Sequence, residues 1–282
     1  MIRRKFFKFK LTRKQKKKLS LLLVLGLCIA GGFLLLKLPV PRRPSRGITP
    51  QTRQHFRASG RPKVVFVIDD IGYHDRLKNP LRALGKSVTY AILPLLPYSH
   101  YFGDMSLRTH AEVILHLPLD TVQDKIPGRG LIVDTMSPQA VLEMLARDLD
   151  SVPNHVGANN HMGSRGTTNR ELMTIILTEL KRRDLFFLDS YTTPESTVPS
   201  VGRKIGLPIL TRGVFLDNED SQPAIRSQLN EVRKVAREKG NAIAIGHYRE
   251  NTLEVLRDEI PKFKKEGFEI ITLKEMLKIQ RD

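Results

Sequence analysis

The sequence predicts an α/β fold: an irregular (β/α) barrel of seven or eight parallel strands, preceded by one transmembrane helix. Three observations carry that expectation. From Val64 to the C-terminus, short apolar runs alternate with helical patterns, as in a parallel sheet covered on both faces. Most of these runs end in a polar residue able to do chemistry, and the C-terminal strand ends are where such folds place their sites. Ahead of them, residues 19–40 form one long apolar stretch behind a dense basic cluster.

Residues 1–18, MIRRKFFKFKLTRKQKKK, hold ten Lys or Arg and no acid. The following LSLLLVLGLCIAGGFLLLKLPV, residues 19–40, is broken only by Ser20 and Lys37. About 20 helical residues cross the roughly 30 Å hydrocarbon layer. The run is longer than the apolar region of a cleaved leader and has no Ala-x-Ala site behind it, so it reads as an uncleaved anchor. The basic cluster holds the N-terminus in the cytoplasm and sends the body across the inner membrane into the periplasm or extracytoplasmic space. Residues 41–62, rich in Pro, Gly, Ser and Arg, read as a flexible linker.

The net charge of +18 is misleading as a whole-chain figure. Residues 1–62 carry 17 Lys or Arg and no acid, which leaves 30 basic against 29 acidic residues in the body. A near-neutral body gives no case for nucleic acid. The basic excess belongs to the membrane. Cys28, the one cysteine, lies in the anchor, so the body has no thiol nucleophile and no disulfide.

The remaining residues, 63–282, suit one domain. Strands are expected at Val64–Asp69, Ser87–Leu93, Glu112–Leu117, Val156–Asn160, Leu185–Leu188, Pro208–Thr211, Ala242–Gly246 and Phe268–Thr272. Helices are expected at Arg76–Leu84, Ser99–Arg108, Pro138–Leu149, Asn169–Arg182, Gln222–Lys239 and Thr252–Lys265. The helix after Ser137 has a good N-cap and Pro138 at its first position.

The polar residues then fall at strand ends. Asp69 and Asp70 close the first strand in VVFVIDDIGY, His116 the third in EVILHLPLD, and His161 follows the fourth in NNHMGSR. Asp189 ends the fifth, Arg212 follows the sixth and His247 ends the seventh. In a barrel these ends converge on one mouth. Singly, each has a plainer role: a helix cap for an Asp, a satisfied core residue for His116, a turn residue for His161 or His247. Extended backbone around Pro118 puts His116, Pro118 and Asp120 on one side. Two histidines and an aspartate suit a divalent ion, Zn²⁺ first, with a position left for water. A second carboxylate could accept the water's proton and another histidine could protonate a leaving group. No Gly-rich phosphate loop and no G-x-S-x-G elbow is present.

VVFVIDDIGY, AILPLLPYS, EVILHLPLD, NNHMGSRGT, FFLDSYT and AIAIGHYRENTLEVL, in that order, resemble the divergent polysaccharide deacetylase family, a branch of the metal-dependent carbohydrate esterases. The resemblance runs from about Lys63 to the C-terminus. It implies a deformed barrel, a divalent metal and an acetylated polysaccharide or glycan substrate. By the same resemblance Asp69 is the base, Asp70 and His116 are metal ligands, and His247 is the acid. The superfamily's two metal histidines stand four residues apart, where this chain has His116 and Asp120. His161, from the branch's own motif, is therefore expected as the third ligand, with Asp120 competing for the place. No Arg-x-Pro motif is evident, and Arg165 and Arg212 are the candidate replacements. Asp120, Ser164, Arg165, Asp189 and Arg212 are the expected substrate-side residues. The implied function is membrane-anchored deacetylation of a polysaccharide outside the cytoplasm. A catalytically silent glycan-binding or envelope-organising protein on the same fold is the alternative.

Overall fold

The structure, a computed structural model, describes residues 60–123 and 127–280. The basic segment, the anchor at 19–40 and all but the last three residues of the linker lie outside the described residues. Among the described residues no helix is long and apolar enough to cross a membrane.

The first half of the body runs β1 (Lys63–Ile71), α1 (Lys78–Leu84), β2 (Thr89–Ile92), α2 (Ser99–Thr109), β3 (Glu112–Leu119), α3 (Pro138–Asp150) and β4 (His155–Met162). It continues with α4 (Arg170–Arg182), β5 (Phe186–Asp189), α5 (Val198–Ile205), β6 (Ile209–Thr211) and β7 (Val214–Phe215). The last elements are α6 (Gln222–Lys239), β8 (Asn241–His247), α7 (Glu250–Lys265), β9 (Glu269–Ile270) and α8 (Leu273–Ile279).

All strand pairs are parallel, and the order is β6-β5-β4-β3-β2-β1-β8-β7, with β9 joined to β1. The expected ring of strands is therefore a curled sheet with two edges, β6 and β7. Those edges follow one another in the chain, and the crossing is made by two residues. The Arg212 N–H donates to Asp189 O on β5 at 3.0 Å and the Gly213 N–H to Ile243 O on β8 at 2.8 Å. Backbone bonding thus passes from one edge to the other without a ladder between β6 and β7.

Alternation along β1 sorts its side chains into two cores. Val64, Phe66 and Ile68 belong to the apolar layer shared with the helices. Val65 and Val67 face inward with Ala91, Ile114, Leu188, Leu210, Ile243 and Ile245. Leu273, Met276 and Leu277 of α8 pack on the same inner cluster. The sequence pattern missed α8, α5 and β7. Helix α8 follows a two-residue strand and begins with a capping box between Thr272 and Glu275; α5 lies in a Pro-, Ser- and Thr-rich stretch; β7 has only two residues. His116 and His161 also lie inside their strands, because β3 and β4 stay paired as far as Leu119 and Met162.

Glu112, at the start of β3, ties α8 to the sheet. Its carboxylate accepts the Leu273 and Lys274 N–H groups at 2.9 Å each and the Thr89 hydroxyl at 3.0 Å. These N–H groups begin a helix and have no partner within it. Glu112→Ala is expected to lower stability by about 1–2 kcal/mol in urea unfolding, the usual cost of a lost cap. Unchanged stability would contradict this role for Glu112.

Candidate active site

Val65, Val67 and Asp69 share the inner face of β1, so strict alternation would send Asp70 toward the helices. The backbone breaks that alternation. Pairing with β2 shifts register between Ile68 and Ile71, and Asp70 has a φ of 64°. Asp is one of the few residues with a side chain that enters this left-handed region readily. The consequence is that both carboxylates line one cleft. Asp69 Oδ2 and Asp70 Oδ1 lie 3.6 and 3.3 Å from the same atom, His116 Nε2.

His116 projects inward from β3, and its register partner on β4 is Asn159. Asn159 is fully buried, and its Oδ1 lies 2.9 Å from His116 Nδ1. Since an amide oxygen only accepts, Nδ1 carries the proton and Nε2 presents a lone pair to the cleft. Asn159 Nδ2 donates to Asp69 Oδ1 at 3.0 Å and to Ser190 Oγ at 3.1 Å. Two residues further along the same face, His161 Nδ1 lies 3.1 Å from both Asp70 Oδ1 and His116 Nε2.

These three atoms form a group able to hold a metal ion. Their spacings of 3.1, 3.1 and 3.3 Å approximate the edges of a tetrahedron around an ion with bonds of about 2.0–2.1 Å. Asp70 Oδ1 is buried and, despite its two close nitrogens, makes no hydrogen bond of acceptable geometry. A cation at the centre would satisfy it, so the donor set fits a divalent ion. Burial pushes the Asp70 carboxyl up, but the neighbouring imidazoles of His116 and His161 outweigh it and hold the group well below the ordinary carboxylate range. For Asp69 burial wins: its proton affinity is raised against the opposing pull of His116 and His247.

The other wall carries His247, which stands beside Asp69 in the β1–β8 register. Its Nε2 is 3.9 Å from Asp70 Oδ2, and its Nδ1 donates to Asp217 Oδ1 at 2.8 Å. Asp217 is only 1% exposed. Its Oδ2 accepts the His247 backbone N–H at 2.7 Å and the Thr252 hydroxyl at 2.6 Å. Burial lowers the proton affinity of His247, but the Asp217 bond and the nearby carboxylates raise it further, for a net rise.

The cleft between these walls has a volume of about 500 Å³. Ser164 and Arg212 line it, as the sequence suggested. Asp120, Arg165 and Asp189 are not among the residues that line it. Asp120 Oδ1 accepts the Thr121 N–H at 2.8 Å, and Asp120 lies apart from the three-atom group. Arg165 is half exposed and lies 3.8 Å from Asp120. Asp189 is buried and holds its own loop, accepting from Ser196 Oγ at 2.7 Å and the Tyr191 N–H at 2.9 Å. Tyr248 is also buried, whereas Tyr191 is exposed at the cleft.

Sequence reasoning overlooked Asn159 and Asp217. Asn159 could have been found from strand parity, two residues before His161. Asp217 ends the apolar run VFLD much as Asp189 ends FFLD, but β7 is too short to flag it.

Two relatives share much of this chain. An uncharacterized protein of Haemophilus influenzae (strain Rd) is 34% identical over 196 residues, 69% of this chain and 70% of that one. The uncharacterized protein YibQ of Escherichia coli K12 is 31% identical over 198 residues, 70% of this chain but 62% of its own length, so the chain spans less than two thirds of YibQ. Among solved structures, an uncharacterized protein of Agrobacterium tumefaciens C58 has the same fold, with a TM-score of 0.73 at 19% identity over 79% of this chain and 93% of that one. Residues 66–277 match the family described as divergent polysaccharide deacetylase, and the chain belongs to that family.

Proposed function

We propose that the protein is a metal-dependent hydrolase that removes acetyl groups from a polysaccharide, anchored by residues 19–40 and acting outside the cytoplasmic membrane. The observation that carries this reading is the convergence of Asp70 Oδ1, His116 Nε2 and His161 Nδ1, at 3.1–3.3 Å from one another, opposite a His247–Asp217 pair. Family membership supports the substrate class. The apolar segment and its basic flank support the anchor.

Asp70, His116 and His161 would hold the ion, for which their mixed nitrogen and oxygen set makes Zn²⁺ the first candidate. When bound, it would supply Lewis-acid polarisation of the acetyl carbonyl and a lowered pKa for water. Asp69 accepts the proton of the attacking water, and its raised proton affinity suits it to that task. Asn159 fixes Asp69 and the His116 tautomer through one side chain. Protonated His247 delivers its Nε2 proton to the departing amine or alkoxide, while Asp217 holds the imidazolium from behind. The products are acetate and a free amino or hydroxyl group on the sugar.

The purified chain supplied with Zn²⁺ should release acetate from acetylated oligosaccharides. Asp69→Asn should lower kcat by about 10²–10⁴-fold while the metal is retained. A metal-loaded, folded chain that yields no acetate across N- and O-acetylated glycans would contradict the proposal and favour glycan binding.

Asn159→Ala should weaken metal affinity about 10–100-fold, the usual effect of losing a partner behind a ligating histidine. Competition with a chromophoric chelator measures this, and unaltered affinity would contradict the role given to Asn159.

The pH dependence follows from His247. Its raised value keeps it protonated above the ordinary histidine pKa of about 6.5, so the acid form is present below the raised value and lost as pH rises through it. Asp217→Asn removes one source of that rise. The alkaline limb of the kcat profile should therefore move to lower pH, and an unmoved limb would contradict the assignment.

A further inference from the structure

The metal-binding and acid–base groups account for one part of the cleft. Two other lining residues, Arg212 and Arg249, have a different character. Arg212 follows β6 and is anchored by carbonyls, its Nε donating to Ser190 O at 2.6 Å and its Nη2 to Tyr191 O at 2.8 Å. The guanidinium lies 4.9 Å from the centre of the Phe215 ring. Arg249 follows β8 and donates from Nη1 to Asp217 O at 3.1 Å. Among the described residues neither arginine makes an ion pair. Arg226 and Arg233, on the outer helices, are paired with Asp258, Glu259 and Glu266. The two cleft arginines thus retain donors that carbonyls leave unused: Nη1 of Arg212, and Nε and Nη2 of Arg249.

Charge sharpens the contrast. Among the described residues, Asp69 and Asp70 are the acids that line the cleft. Arg212 also feels the field of Asp69 and of buried Asp189 behind it. A divalent ion on the metal-binding wall would balance the charges of Asp69 and Asp70, leaving the cleft positive. Beyond its bond to the Asp217 carbonyl, the Arg249 side chain makes no hydrogen bond among the described residues. Arg249 occupies the N-cap of α7 without capping it, and a cation at that end opposes the helix dipole. A planar guanidinium fork suits the paired oxygens of a carboxylate or phosphate.

We propose that the cleft selects an acetylated glycan that also bears an acidic group, carboxylate or phosphate, held by Arg249 and Arg212 on the His247 side of the cleft. This inference rests on the deacetylase reading above and specifies its substrate class. The acetyl group lies toward Asp70, His116 and His161, and the acidic group toward the strand ends of β6 and β8.

The test uses the full-length Zn²⁺-loaded chain with Asp69→Asn, which separates binding from turnover. Its probes are three acetylated tetrasaccharides of equal length: one neutral, one with uronate sugars and one with 6-phosphate sugars. Calorimetry should give at least about tenfold tighter binding of one or both acidic probes, in proportion to a charge-assisted contact. The preference should shrink as salt rises. It should fall several-fold in Arg249→Gln, and Arg212→Lys, which keeps the charge but not the fork, should reduce it as well. The uronate and phosphate arms identify which acid is recognised. Equal affinity for neutral and acidic probes, or a preference untouched by Arg249→Gln, would overturn the inference. Acetate release by the parent chain is read separately. Release from the neutral probe as fast as from the acidic ones would overturn the inference but keep the deacetylase reading. Selective binding with no release from any probe would do the reverse.

Discussion

Two adjacent residues of a strand cannot both face the same cleft unless its alternation is broken between them, and this chain breaks it at Asp70. The left-handed backbone at that residue and the register shift toward β2 turn Asp70 to the side already occupied by Asp69. Without that turn, His116 would meet one carboxylate and His161 would have no oxygen at 3.1 Å. A non-Gly residue in this region costs of order 1–3 kcal/mol and persists where its surroundings hold it. Here the surroundings are β8 on one side, β2 on the other and the tight exit at Gly72.

The same arrangement gives neighbouring carboxylates different properties. Asp69 gains proton affinity from burial despite the bond donated by the Asn159 amide, whereas Asp70 faces two imidazoles and loses it. Divergent environments of this kind are how one cleft can hold both a proton acceptor and a metal-binding anion. Asn159 links two parts of this arrangement, since its oxygen bonds His116 and its nitrogen bonds Asp69. Asp217 performs the matching service for His247 from the opposite wall.

Much of this was legible in the sequence because parallel strands buried on both faces are apolar until they end, so a polar residue there stands out. That logic found Asp69, Asp70, His116, His161 and His247, and it located six helices and eight strands to within a few residues. It could not find Asp217, which follows a strand of only two residues. Nor could it show the turn at Asp70, which is a matter of dihedral angle. Asp120, Asp189 and Arg165 were less legible, because a polar residue near a strand end can serve the loop that follows as readily as the cleft. Asp189 with Ser196 and Tyr191 is the clearest case. The edges at β6 and β7 were hidden because Arg212 and Gly213 connect them through backbone bonds that leave no mark on hydrophobic periodicity.

The proposed chemistry depends above all on Asp70, His116 and His161 together holding a divalent ion. Anomalous diffraction at the zinc edge, from crystals of the chain grown with Zn²⁺, tests it directly. The account predicts a single strong peak within about 2.0–2.2 Å of Asp70 Oδ1, His116 Nε2 and His161 Nδ1. A cleft without anomalous density under those conditions, or a peak held by other side chains, would contradict it.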